Sequence, residues 1–161
     1  MATYQEEKKQ YLLDFIREYQ DHLYRLAYCY TKNPEDAMDL TQDAVIKAIT
    51  KIDTLRERDN IKNWVYRILV NECLMFLRKN KRLLYLEDSI GEIEDERQKI
   101  GEDRIDLLRA LEHLNPKQRT VIMLHYFEDM KLDEIAAVTE TNLSTVKSRL
   151  YKGLELMKKW L

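Results

Sequence analysis

Apolar residues recur at steps of three and four along most of the chain, and no stretch shows the period-two alternation of a half-buried strand. The last segment, "TNLSTVKSRLYKGLELMKKWL" from Thr141 to Leu161, is the clearest case. An α-helix advances about 100° per residue, so Leu143, Val146, Leu150, Leu154, Met157 and Leu161 fall on one stripe, a core face. Opposite lie Ser144, Thr145, Ser148 and Lys152, with Lys147, Arg149 and Tyr151 on the flanks. Alone, this is an amphipathic helix with a solvated polar side. Upstream, "KLDEIAAVTETN" supplies a short apolar face through Ile135, Ala136 and Val138, then Asn142, a strong N-cap residue. A short helix, a tight turn and a second helix with hydroxyls and cations in its first turns is the helix-turn-helix arrangement, whose second helix enters the major groove. The polar side then has a purpose, to meet bases and phosphates.

The rest of the chain reads as further helices. Between Glu6 and Thr31 the apolar series is Leu12, Ile16, Tyr19, Leu23, Leu26 and Tyr30. Asn33 caps the next helix, Pro34 suits its first turn, and Glu35, Asp36 and Asp39 lie near its positive end. That helix, Pro34 to about Ile52, carries Leu40, Val45, Ala48 and Ile52 inward and exposes Asp39, Gln42, Asp43 and Lys47. After the loop "DTLRERDN", Asn60 can cap a third helix. Ile61, Trp64, Val65, Ile68, Leu69 and Leu77 form its core side and "RKNKR" supplies cations to its end. Asp103 opens a helix with Ile105, Leu108 and Leu111. Asn115 and Pro116 start another, "KQRTVIMLHYF", with Val121, Leu124 and Phe127 inward.

Charge divides the chain more sharply than its total of −2 suggests. Between Asn60 and Arg82, the cations Lys62, Arg67, Arg78, Lys79, Lys81 and Arg82 oppose Glu72 alone. From Leu143 onward, Lys147, Arg149, Lys152, Lys158 and Lys159 oppose Glu155. Between these segments lies "LYLEDSIGEIEDERQKIGEDRID", rich in acids and without a sustained apolar period, which reads as a linker. The basic segments are the candidates for phosphate contact. The expected fold class is all-α: two small helical domains, residues 1–84 and 104–161, joined by an acidic linker at 85–103, with a helix-turn-helix in the second. The acidic linker between basic surfaces is also expected to draw the free domains together at low salt.

Other classes lose ground on the same residues. "WVYRILVNECLMFL" is broken by Arg67, Asn71 and Glu72, well short of the roughly 20 apolar residues of a membrane span, and "MATYQEEKKQ" has no apolar signal region. A cytoplasmic protein without direct membrane insertion is expected. Cys29 and Cys73 are distant and outside any CxxC pair, as befits buried reduced thiols. His22, His113 and His125 are scattered, with no partner at a catalytic spacing. Neither a glycine-rich phosphate loop nor paired metal-ligand spacing is present, so no catalytic site, metal, cofactor or small-molecule substrate is expected.

Three segments in order, "DAMDLTQDAVIKAI", "NIKNWVYRILVNECLMFLRKNKR" and "LEHLNPKQRTVIMLHYFEDMKLDEIAAVTETNLSTVKSRLYKG", resemble bacterial alternative sigma factors of the extracytoplasmic-function group. The resemblance runs from Leu23 to Met157. It implies an initiation subunit of bacterial core RNA polymerase that binds promoter DNA and is held in check by an anti-sigma factor. Asp39, Leu40, Gln42, Asp43 and Lys47 would bind polymerase, where exposed acids and an amide suit a basic partner surface. Asn63, Trp64, Tyr66, Arg67 and Asn71 would lie near the melted minus-10 element, and Arg56, Arg58 and Asn60 in the loop that captures a flipped base. Trp64 shares the stripe of Ile61 and Ile68, so a core role competes with base stacking. Arg78 and Lys79 would meet the duplex backbone or complement a helix C-terminus. Ser144, Thr145, Lys147, Ser148, Arg149 and Lys152 would contact the minus-35 duplex. Thr145 and Ser148 are placed for base edges, Arg149 and Lys152 for phosphates.

Two residues depart from the family pattern. Glu140 occupies the turn position that usually holds glycine, at a cost on the order of 1 kcal/mol, and Gly153 interrupts the last helix at a cost of about 1 kcal/mol relative to alanine. The competing reading is a free-standing helix-turn-helix regulator whose first half senses a ligand or dimerises.

Overall fold

A computed structural model describes residues 3–80 and 102–161, with side chains from 106 onward in the second segment. Most of the acidic linker at 85–103, together with the electrostatic closure expected of it, lies outside the described residues. The chain divides into two compact units, Met1–Leu77 and Arg78–Leu161.

The first unit is built along one long helix, α1 (Tyr4–Thr31), which begins in a capping box between Thr3 and Glu6 and ends with Lys32 in the left-handed region. Helix α2 (Pro34–Thr50) starts as expected, with Asn33 accepting from the Asp36 amide at 3.0 Å and Pro34 in the first turn. It packs antiparallel-fashion back along α1, since a two-residue connection leaves it no other course. Leu23, Leu26, Ala27 and Tyr30 of α1 and Ala37, Leu40, Ala44 and Ala48 of α2 are buried. Two short 3-10 turns, Ile52–Thr54 and Arg58–Asn60, give the following loop internal structure, and the second runs directly into α3 (Ile61–Asn80), so Asn60, expected as the cap of α3, is instead the last residue of a 3-10 turn. Ile61, Val65, Tyr66, Leu69, Val70 and Cys73 are the buried face of α3. Lys47 of α2 forms an ion pair with Glu72 of α3, so the lone anion of the basic segment is spoken for. Phe15 stacks on Tyr19 and meets Tyr66 edge-on at 6.4 Å, which joins α1 to α3. Cys73 is buried and Cys29 half-buried, and neither forms a disulfide. Burial, with the Glu72 carboxylate and Cys29 adding to it, pushes the Cys73 thiol well above its usual range.

In the second unit, α4 (Glu102–Glu112) is followed by α5 (Pro116–Ile122), whose start is a capping box between Asn115 and Gln118. Arg119 is buried beneath the connection, donating to the Leu111 and Leu114 carbonyls at 3.0 and 3.2 Å. Helix α5 passes into one wide π turn, Met123–Phe127. That extra residue per turn shifts the facing by one position, so Phe127 is exposed rather than inward, a correction to the sequence reading. The helix-turn-helix comprises α6 (Leu132–Thr139) and α7 (Leu143–Lys158), with Asn142 accepting from the Thr145 amide at 2.8 Å. Val146, Leu150, Gly153 and Met157 are its buried face, with Leu154 half-buried. Leu143 precedes the first packed turn and Leu161 lies beyond the helix end, so both are exposed despite sharing the stripe.

The two departures separate here. Glu140 does sit in the left-handed region, at φ 54° and ψ 42°, as the C-cap of α6. Gly153 is not a defect in α7. A Cβ there would lie 2.5 Å from the Cδ1 of buried Ile122, so its absence lets α7 close upon α5. Gly153→Ala is therefore expected to lower stability by about 1 kcal/mol in a denaturant titration, overpacking of about 1–3 kcal/mol exceeding the helix-propensity gain. Glu140→Gly should raise stability by about 0.5–1 kcal/mol in the same assay, because relief of the left-handed strain exceeds the added chain entropy.

Candidate nucleic-acid and partner interfaces

The first turn of α5 lies beside the first turns of α7. Asn115, Lys117 and Gln118 from α5 and Ser144, Thr145, Ser148, Arg149 and Lys152 from α7 line an open polar groove of about 450 Å³. Three cations and no carboxylate line it. Five of the six residues assigned to duplex contact from the sequence share this groove, whereas Lys147 is exposed on the flank of α7. Ser144 is partly engaged already, its hydroxyl donating to Asn142 Oδ1 at 2.8 Å. Thr145 is half-buried and Ser148 and Lys152 are exposed, which orders them from the floor of the groove to its rim. Asn115, Lys117 and Gln118 escaped the sequence reading. They lie a full helical hairpin away in the chain, and only tertiary packing makes them neighbours.

On α2 the exposed face carries Met38, Asp39, Gln42, Asp43 and Ile46. Leu40, assigned to a partner surface, is instead buried against α1, because it lies about 100° round the helix from Asp39 and belongs to the Ala37, Leu40, Ala44 face. Lys47 is half-buried and held by Glu72. The residues missed are Met38 and Ile46, 46% and 60% exposed. Their spacing with Gln42, at i, i+4 and i+8, was legible as a stripe. It places two apolar anchors beside the acids, the composition of a partner-binding face.

Helix α3 presents a narrow polar edge. Asn63, Trp64, Arg67, Asn71 and Arg78 fall within an arc of about 100° on the side away from the core. Asn71, Arg78 and Lys79 are exposed; Asn63, Trp64 and Arg67 are half-buried. Trp64 is thus accessible along part of its ring rather than sealed in the core. The Oδ1 of Asn63 is buried with no hydrogen-bond partner, an acceptor that folding alone leaves unsatisfied. Tyr66 is the clear correction: it is 0% exposed, part of the buried face with Val65, Leu69 and Val70, and offers no surface to DNA. In the preceding loop Arg56, Arg58 and Asn60 are all exposed, but Arg58 leans on α1, its guanidinium 4.8 Å from the Tyr11 ring centroid and 3.7 Å from Glu7 Oε2.

Among the described residues no group of His, Cys, Asp or Glu could hold a metal ion. Nor, among them, is any helix long and apolar enough to cross a membrane.

Comparison with known proteins follows this division of the chain. Residues 15–83 match the family described as Sigma-70 region 2, and residues 104–157 match Sigma-70, region 4. The RNA polymerase sigma factor SigV of Bacillus subtilis is 39% identical over 150 residues, covering 93% of this chain and 90% of that protein. SigW of the same organism, an extracytoplasmic-function sigma factor, is 31% identical over 163 residues, covering 92% and 87%. The sigma factor RpoE of Bartonella quintana, solved in complex with the anti-sigma factor NepR, superposes with a TM-score of 0.72 at 25% identity, covering 91% of this chain and 96% of that one. CnrH, at 20% identity and a TM-score of 0.68, shares the fold over 92% of this chain and 85% of its own. Matches to both regions disfavour a sensor domain in the first half. A region 2 unit with an exposed acidic and apolar helix face, followed by a region 4 helix-turn-helix, makes this chain a member of the extracytoplasmic-function group of RNA polymerase sigma factors.

Proposed function

We propose that the two units divide promoter recognition and polymerase binding as follows. Residues 1–84 bind core RNA polymerase and open the minus-10 element, residues 104–161 read the minus-35 duplex, and residues 85–103 link them. The observation that carries the reading is the carboxylate-free groove in which Lys117, Arg149 and Lys152 surround Thr145 and Ser148. Cations at a rim with short hydroxyls within suit a phosphate backbone flanking base edges. On α2, Asp39, Gln42 and Asp43 supply polar specificity and Met38 and Ile46 supply buried area against polymerase. Asn63, Trp64, Arg67 and Asn71, with Arg56 and Asn60 of the loop, receive the unstacked minus-10 strand. Arg78 and Lys79 meet the duplex backbone.

The chain is not itself an enzyme on this reading. Nucleotidyl transfer belongs to polymerase, and the chain works in the cytoplasm as a specificity subunit. The Bartonella quintana relative was solved with an anti-sigma factor, and the same class of inhibitor is proposed here, covering the exposed helix faces.

The direct test adds the chain to bacterial core polymerase and follows co-elution and transcription from a randomised promoter library. Asp39→Ala with Asp43→Ala should weaken core binding by about tenfold or more, with transcript falling in step. Unchanged co-elution and transcript in that double variant would refute the α2 assignment. For the groove, Arg149→Ala and Lys152→Ala should each weaken duplex binding by holoenzyme across all sequences and reduce the salt slope by about 1. Thr145→Ala or Ser148→Ala should instead relax base preference at one position, by about 1–3 kcal/mol.

A further inference from the structure

The first turns of α1 precede residue 15, where the region 2 match begins, yet they make some of the most specific contacts in the unit. Tyr4, Glu7, Lys8 and Tyr11 form one stripe at i, i+3, i+4 and i+7, and all four face the loop between α2 and α3. Lys8 is 2% exposed. Its Nζ donates to the Leu55 carbonyl at 2.6 Å and lies 5.1 Å from the Tyr4 ring centroid. The Tyr4 hydroxyl in turn donates to the Arg56 carbonyl at 3.1 Å. Arg58, two residues on, is drawn onto Tyr11 and Glu7.

Burying an ammonium is costly unless it is hydrogen-bonded, and lysine is almost never fully buried without a partner. A methionine or leucine would cover the same apolar surface without that cost. What the lysine adds is a charge-assisted bond to a main-chain carbonyl 47 residues away, in a loop segment outside helix hydrogen bonding. Main-chain carbonyls as acceptors mean that the grip fixes the loop's path whatever side chains it carries. With the Leu55 and Arg56 carbonyls held below and Arg58 held to one side, the Arg56 and Asn60 side chains remain exposed on a loop whose conformation is already set.

We propose that Lys8, assisted by Tyr4, is a positioning residue that presets the Ile52–Asn60 loop to receive a flipped minus-10 base, so that the loop need not be ordered at the moment of promoter opening. This rests on the assignment of the loop to the minus-10 element. Preorganisation of this kind acts on base capture and discrimination, leaving the α2 partner face untouched.

The test uses the full chain assembled with bacterial core polymerase and a fork-junction DNA with a short randomised single-stranded segment in the minus-10 position. Selection and sequencing read the preference ratio at each base. Lys8→Met should lower the preference at the captured base by about tenfold, the scale of one charge-assisted hydrogen bond. Core binding should stay within error, and hydrogen exchange at the Leu55–Asn60 amides should accelerate while the α2 amides keep their protection. Arg56→Ala with Asn60→Ala controls for the loop reading itself. Lost preference in that control with full preference in Lys8→Met would overturn the positioning role alone. Full preference in both would overturn the loop assignment and the positioning role with it. A uniform loss of core binding and of preference at every base in Lys8→Met would mark a structural lysine and also refute the proposal. Should Lys8→Met fail to fold, Tyr4→Phe, which removes only the bond to the Arg56 carbonyl, decides by the same ratio. A drop of about threefold supports the proposal, and no change sinks it.

Discussion

Everything in the first unit is measured against α1. A helix of 28 residues is about 42 Å long, and no short-range contact could hold such a rod in a small domain unless other elements were laid along it. Three are. Its C-terminal half buries Leu23, Leu26, Ala27 and Tyr30 beside α2, its middle offers Phe15 and Tyr19 to Tyr66 and Lys62 of α3, and its first turns hold the loop through Lys8 and Tyr4. Helix α2, helix α3 and the loop between them therefore take their places from one rigid element. Lys47 and Glu72 close the arrangement by linking α2 to α3 directly.

In the second unit the corresponding constraint is a missing side chain. Without a Cβ at Gly153, α7 can approach α5 until Ile122 occupies the space, and beside this contact the starts of the two helices line the groove. A helix-turn-helix needs only α6 and α7, but Asn115, Gln118 and the cation Lys117 of this groove come from the start of α5. The polar groove is thus wider than the motif alone supplies, and would offer any bound duplex more phosphate contacts than α6 and α7 could. Net charge over the whole chain says little about it, because affinity of this kind is local.

Helix starts were legible because their chemistry is local. Asn33, Asn115 and Asn142 each accept from an amide three residues on, and Pro34 and Pro116 follow two of these caps with a preset φ. Face assignments held for Val146, Leu150 and Met157, but along unbroken α2 and α3 the buried face is turned from the one read, so Val45, Trp64, Ile68 and Leu77 are only half-buried. Where the period breaks they failed outright: the π turn moved Phe127 outward, and helix ends left Leu143 and Leu161 exposed. Within the candidate site, Leu40 and Tyr66 show the limit of carrying a motif across as a block. A motif preserves core and contact residues together, and only burial separates them.

From sequence alone came the helical class, the asparagine caps at residues 33, 115 and 142, the cationic face of α7 and the resemblance to sigma factors. These depend on neighbours within about four residues, or on a linear motif, and a chain carries both before it folds. Only tertiary structure decided that Gly153 is a point of contact rather than a flaw, that Lys117 shares a groove with Arg149, and that Lys8 reaches Leu55. Each of these joins residues tens of positions apart. No periodicity encodes such a pairing, because it is set by how side-chain volumes fit when helices close on one another and by where a buried polar group finds its one available partner.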